Sequence, residues 1–187
     1  MSLPRAVLDA DIIYSRVLHE LMGRLAIEVR LFDLIWSEDL LAEARTTLVE
    51  GKGLTAEIAD VWVGHMRREF PDGCVDPSGI PAEVDLGSLT RDPNDRHVCA
   101  LAIAGKADLL FTFDRGYLRE PLRARGVDVP DLDRYLAAQF DQQPIAIMRV
   151  IERQADVWGG GRPVDELLAA YERAGVTEFA SAATMRG

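Results

Sequence analysis

Asp9 directly follows the apolar run Ala6-Val7-Leu8, and Asp114 directly follows Leu109-Leu110-Phe111-Thr112-Phe113. Both runs read as buried parallel strands, so both aspartates are expected at the carboxyl ends of strands, where open α/β sheets collect their ligands. Asp92 and Asp95 flank Pro93-Asn94 at the start of a helical pattern, and such a helix N-terminus tends to lie at the same edge. Glu43 belongs to the helix after the second strand. At 100° per residue it lies about 60° from Leu40, on the border of the buried face, where a carboxylate can lean over a crevice. Four carboxylates converging from Asp9, Glu43, Asp95 and Asp114 would repel one another by several kcal/mol at a protein-like dielectric, so something cationic must neutralise them. Oxygen donors without a His or Cys cluster favour Mg²⁺ or Mn²⁺ over zinc. An ion so held can activate water and stabilise in-line displacement at phosphorus. Each acid also has a plainer reading. A strand-end Asp can be a turn residue, Asp92 a helix cap, Asp95 a capping-box acid and Glu43 a solvated helix residue. The set carries the argument. His97 reads as a helix-surface or packing residue, and the three tryptophans as core or interface aromatics.

The elements that must position these groups follow from pattern. Ala6–Leu8 predicts a first strand, and Ile13, Val17, Leu21 and Leu25 at i+4 predict a helix with one apolar face. Leu31–Trp36 predicts a second strand, ended by Ser37, which caps a helix carrying Leu40, Leu41, Ala44 and Leu48. Another helix is expected from Thr55 to about Glu69. Residues 71–90 are rich in Pro, Gly and Asp and read as loop, with one short extended piece at Cys74-Val75. Asp92 as cap and Pro93 at the first helical position open a helix that ends at Gly105. The strand 109–113 follows, then a basic helix-like stretch, and Gly126–Pro130 as a last short strand. Strands alternating with helices predict a parallel sheet covered by helices. From Leu132 the pattern is helical, broken at Gly159-Gly160-Gly161 and resumed from Val164 to about Ala174.

The chain has 187 residues, 48% hydrophobic and 28% charged, which is globular composition and too short for two large domains. No apolar run approaches the ~20 residues needed to span a bilayer, and no signal peptide is recognisable, so a cytoplasmic location with no membrane partner is expected. Cys74 and Cys99 are too few for a disulfide framework. The net charge of −10 should repel nucleic acid and anionic membrane. That charge is uneven: residues 91–130 hold 6 acids and 7 bases, and every other stretch is acidic.

With the motifs in place, the sequence resembles the PIN-domain nucleases, and within them the VapC-type toxins of bacterial toxin–antitoxin pairs. The resemblance rests on Val7-Leu8-Asp9-Ala10-Asp11-Ile12-Ile13, Trp36-Ser37 through Glu43, Asp92-Pro93-Asn94-Asp95-Arg96-His97-Val98-Cys99-Ala100-Leu101-Ala102 and Phe111-Thr112-Phe113-Asp114. These pieces occur in the family's order over roughly residues 5–135, and Arg162 through Ala180 resembles the helical extension of one toxin subgroup. The resemblance implies a three-layer α/β/α sandwich with a central parallel sheet of four to five strands over residues 1–138, and a helical C-terminal extension over 139–187. It also implies Mg²⁺- or Mn²⁺-dependent hydrolysis of RNA phosphodiesters, with Asp9, Glu43, Asp95 and Asp114 as metal ligands and catalytic acids. Homodimerisation and neutralisation by a cognate antitoxin protein are further implications. Asp11 stands where the family usually has Asn, Ser or Thr, and is expected as an extra ligand or in the surrounding shell with Asp92 and Thr112. Arg96, Arg115 and Arg119 are the expected RNA contacts. Arg115, Arg119, Arg123 and Arg125, opposed only by Glu120, give +3 within eleven residues just after Asp114. A haloacid-dehalogenase-like phosphatase also starts with Asp-x-Asp, but it needs a Lys after its Thr or Ser, and here both lysines, Lys52 and Lys106, precede Thr112. A non-catalytic PIN-like binding or scaffold protein is the other alternative.

Overall fold

The computed structural model describes residues 2–185. Its internal packing forms two compact units, one of residues 1–14 with 32–129 and the other of 15–31 with 130–187. These are not the linear segments 1–138 and 139–187, because residues 15–31 pack among the C-terminal helices.

The first unit is built on a parallel sheet. Its strands are β1 (Arg5–Leu8), β2 (Asp33–Ile35) and β3 (Leu109–Phe111), in the order β2-β1-β3. Val7 pairs with Ile35 on one side and Leu110 on the other, and all of Ala6, Val7 and Leu8 are inaccessible to solvent. That double-sided burial explains the continuous apolar run, which is characteristic of parallel strands covered on both faces. The chain moves from β1 to β2 in one direction and then crosses β1 to reach β3 on its other side. The order therefore reverses at β1, and the carboxyl ends of β1 and β3 define a switch point of the kind that forms ligand crevices.

Among the described residues the sheet has three strands rather than four to five. Single parallel bridges at its edges, Trp36 with Cys74 and Leu109 with Asp128, mark where the extended pieces at Cys74-Val75 and Gly126–Pro130 touch it. Pro77 and Pro130 follow these contacts within three residues, and proline contributes no N–H to lengthen a ladder.

The helix expected through Ile13 and Leu25 is interrupted. Helix α1 (Ala10–Ile13) ends at Tyr14, Ser15 adopts an extended backbone, and α2 (Arg16–Arg24) begins afresh before widening into a π turn over Leu25–Val29. In the first unit, α3 (Glu38–Thr46) starts at Ser37, whose Oγ accepts from Leu40 N at 3.3 Å. Helix α4 (Ala56–Glu69) starts at Thr55 in the same manner. Residues 71–90 contain three-residue 3₁₀ turns and the bridge residues Cys74 and Thr90 but no longer helix or strand, as the Pro and Gly content demands. A further 3₁₀ turn over Pro93–Asp95 leads into α5 (Arg96–Ala104), and α6 (Arg119–Arg123) is a short helix in the basic stretch.

The second unit contains α2 with α7 (Leu132–Gln142), α8 (Pro144–Val157), α9 (Val164–Arg173) and α10 (Thr177–Thr184). Gly159, Gly160 and Gly161 all adopt positive φ, which separates α8 from α9 as the triple glycine foretold. A buried polar chain ties three helices together. Gln154 donates to Val17 O at 2.9 Å and accepts from the Tyr171 hydroxyl at 2.7 Å. Asp133 caps α10 by accepting from the backbone N–H groups of Glu178 and Phe179, both at 2.9 Å. Phe140 meets Phe179 edge to face. No helix among the described residues is long and apolar enough to cross a membrane.

Candidate metal centre

The pairing of Leu8 with Phe111 continues for one more bond, Asp9 N to Phe111 O at 2.9 Å, so Asp9 and Thr112 leave the sheet side by side. Asp9 is the cap of α1: its Oδ1 accepts from Ala10 N at 2.8 Å. Its Oδ2 accepts from the hydroxyls of Thr112 at 2.7 Å and Tyr117 at 3.0 Å. With Asp9 only 6% exposed, burial is the dominant influence and raises its pKa, while the hydrogen bonds from Thr112, Ala10 and Tyr117 pull the other way. Thr112 also accepts from Asp114 N at 2.9 Å, so one hydroxyl joins the two strand-end acids.

Asp11 sits in the first turn of α1 and reaches across to the loop after β3, where its Oδ2 accepts from Phe113 N at 2.7 Å. Its Oδ1 is buried without a hydrogen-bond partner. Burial first, and the neighbouring charge of Asp9 second, push its pKa up to about 7. Asp95 accepts from the buried Thr90 hydroxyl at 3.2 Å, and its pKa is raised to about 6 by burial, then by Asp9. Asp114 is exposed and accepts from Gly116 N. Gly116 brings the two together: a Cβ there would lie 3.0 Å from Asp114 Oδ1 and 3.5 Å from Asp95 Oδ2. Glu43 projects from α3, and its charge contributes to raising the pKa of Asp9. Its Oε2 lies 3.1 Å from His97 Nε2.

Asp9, Asp11, Asp95 and Asp114 are thus drawn together from β1, α1, the 3₁₀ turn and the loop after β3, with Glu43 entering from α3. Asp92 stands apart in role: it is exposed and its Oδ1 caps the 3₁₀ turn by accepting from Asn94 N at 2.9 Å. Arg96, Arg115 and Arg119 are all exposed. The Arg96 guanidinium lies over Gly87, with Nη2 3.1 Å from where a Cβ would stand. Arg123 is taken up by ion pairs with Glu120 at 2.9 Å and Asp128 at 2.8 Å, so it adds little to a basic patch.

His97 corrects the sequence reading. It is neither a plain surface residue nor core packing, because its ring bridges Glu43 and the carbonyl of Asn94. Its pKa is raised, chiefly by the Glu43 carboxylate, against the effect of burial. Thr90 and Tyr117 were not foreseen at all. Both lie in loops, where no periodicity marks a residue as pointing at an acid. Tyr14 is a third omission: burial and the charges of Asp11, Asp9 and Glu43 raise its hydroxyl pKa, and Lys52 Nζ lies 4.8 Å from its ring centre.

Among the described residues, no three His, Cys, Asp or Glu side chains are grouped so that they could hold a metal ion as they stand. The acids lie close enough for their charges to act on one another, with their oxygens partly engaged by Thr90, Thr112, Tyr117 and backbone N–H groups. The donor set nevertheless fits a hard divalent cation. It offers oxygen alone and includes the partnerless buried Oδ1 of Asp11, while burial first and neighbouring carboxylates second raise the pKa of Asp9, Asp11 and Asp95.

A family model described as PIN domain matches residues 5–116, which contain all of these acids, and one described as VapC50 C-terminal domain matches residues 132–184. Neither a curated protein nor a solved structure matches the chain significantly. The chain belongs to the PIN-domain family, in the VapC-type form that carries a C-terminal domain.

Proposed function

We propose that this chain is a divalent-metal-dependent endoribonuclease and the toxin of a toxin–antitoxin pair, acting in the cytoplasm as a homodimer and neutralised by a cognate antitoxin protein. The observation that carries the reading is the convergence of Asp9, Asp95 and Asp114 at the switch point of the sheet, with Asp11 buried beside them and Glu43 within electrostatic reach. In this reading Asp9, Glu43, Asp95 and Asp114 hold Mg²⁺ or Mn²⁺, with Asp11 close by. The bound cation supplies Lewis acidity toward a phosphodiester and lowers the pKa of a water. Thr112 and Tyr117 fix the Asp9 carboxylate by donating to one oxygen, and Thr90 does the same for Asp95, so the acids need not reorganise when charge develops. Arg96, Arg115 and Arg119 are the groups proposed to hold the RNA backbone. Membership in a nuclease family and the VapC-type C-terminal match support the toxin assignment.

The test is incubation of the purified protein with a panel of single-stranded RNAs in Mg²⁺ or Mn²⁺. Cleavage that needs the cation and disappears in Asp9→Asn is expected. Cleavage that survives EDTA, or is equal in wild type and Asp9→Asn, overturns the assignment. Absence of cleavage with Mn²⁺ still bound would favour a PIN-like scaffold instead.

A further inference from the structure

Glu43 differs from the other acids in how it reaches the crevice. Asp9, Asp95 and Asp114 are short side chains on strand ends and turns, each held by a nearby hydroxyl or backbone N–H. Glu43 has three rotatable bonds, sits on a helix and is more than a third exposed, so nothing local fixes its rotamer.

His97 supplies what is missing. It lies in the first turn of α5, two residues after Asp95. Its Nδ1 is 2.7 Å from the carbonyl oxygen of Asn94, which can only accept, so Nδ1 is the donor. That bond fixes the ring plane and points Nε2 toward α3, where it meets Glu43 Oε2 at 3.1 Å. Nε2 and Oε2 are both buried and neither has a hydrogen-bond partner, so their 3.1 Å approach is an ion pair and the one polar contact either atom makes. We propose that His97 is the positioning residue for Glu43: its ring, carrying a proton on each nitrogen and anchored on the Asn94 carbonyl, pairs with Oε2 and leaves Oε1 available to a cation. This rests on the metal-dependent nuclease reading and adds a residue to it. Asn94 belongs to the same turn as Asp95, so a single ring sets the spacing between an acid on α3 and an acid before α5. Such outer partners orient ligands throughout metal sites, and their loss costs about 10–100-fold in affinity or activity.

The experiment compares wild type with His97→Gln, His97→Asn, His97→Ala, Glu43→Gln and the His97→Ala/Glu43→Gln double variant. Mn²⁺ affinity is read by calorimetry, kcat and KM by RNA cleavage, and folding by thermal unfolding. A glutamine amide can stand where Nε2 stood, whereas an asparagine amide reaches only the Asn94 carbonyl. His97→Ala is expected to weaken Mn²⁺ binding and lower kcat by about 10–100-fold with KM for RNA little changed. His97→Gln should recover most of that loss, His97→Asn should not, and His97→Ala should add nothing in the Glu43→Gln background. Glutamine no better than asparagine, or losses that multiply in the double variant, overturns the inference. The glutamine and asparagine pair decides the matter even where alanine fails to fold. Wild type that neither binds Mn²⁺ nor cleaves RNA removes the nuclease reading and this inference with it. An active wild type with indistinguishable His97 variants removes this inference alone.

Discussion

Replacing Asp11 by Asn should stabilise the metal-free protein progressively as pH rises. The Asp11 carboxyl has a folded pKa of about 7 against 3.8 for the unfolded chain, so the folded state holds its proton more tightly between those values. Stability therefore falls as pH climbs through that window, and the full penalty is present above it. Moving the carboxyl from 3.8 to about 7 costs about 4 kcal/mol at pH 8, of which about 1.5 kcal/mol is already present at pH 5. Asparagine keeps an oxygen to accept from Phe113 N and carries no charge, so it escapes the pH-dependent part. Any fixed cost of placing an NH₂ in the partnerless position is the same at both pH values and cancels. The stability difference between Asp11→Asn and wild type should then grow by about 2–3 kcal/mol between pH 5 and pH 8, or roughly 4–12 °C in unfolding midpoint for a chain of this size. Urea and thermal unfolding in EDTA measure it. Saturating Mg²⁺ should narrow the gap at pH 8, because a bound cation restores the charged form of the wild-type carboxyl. A difference that is equal at both pH values refutes the electrostatic account of this site.

Gly116→Ala places a methyl 3.0 Å from Asp114 Oδ1 and 3.5 Å from Asp95 Oδ2, so the exposed Asp114 carboxylate must give way by a few tenths of an ångström. Calorimetry should show weakened Mn²⁺ binding with an unfolding midpoint near that of wild type, and unchanged affinity would show that Asp114 is not a ligand. Gln154→Leu leaves the buried Tyr171 hydroxyl without its acceptor, while the Val17 carbonyl keeps only its place in the helix ladder. At about 1–3 kcal/mol for a buried unpaired group, a loss of about 1–3 kcal/mol is expected in urea titration. If Arg115 and Arg119 each contact a phosphate, changing both to Gln should lower the slope of log affinity against log salt by about 1.4 for single-stranded RNA, and an unaltered slope removes them from the interface.

What the chain revealed before folding, and what it concealed, divides along physical lines. Asp9 was legible because a continuous apolar run has a definite end and Asp9 directly follows it, whereas the third strand stops at Phe111 rather than Phe113, so Asp114 lies three residues beyond it and is placed by its N–H bond to Thr112. Ser37 and Asp92 were legible because capping is local chemistry, decided within three residues. The continuous i+4 pattern from Ile13 to Leu25 misled, since periodicity shows which face is buried but not which core buries it. Ile13 belongs to the unit with the sheet, Val17 and Leu21 to the helical unit, and the backbone breaks at Ser15 between them. Thr90, His97 and Tyr117 were hidden for a related reason. Their partners are 5, 54 and 108 residues away in sequence, so nothing in local spacing records the contact.

The net charge of −10 acquires a different meaning from the same contacts. Asp9, Asp11 and Asp95 lie within electrostatic reach of one another with raised pKa values, and their hydrogen bonds come from hydroxyls and backbone N–H groups. A carboxylate buried without a cation partner costs stability, and folds retain that cost where a site uses it. Five of the 31 acids, Asp9, Asp11, Glu43, Asp95 and Asp114, therefore stand where a divalent cation would reverse the local sign. RNA affinity should accordingly depend on Mg²⁺ or Mn²⁺ far more steeply than the exposed arginines alone would give.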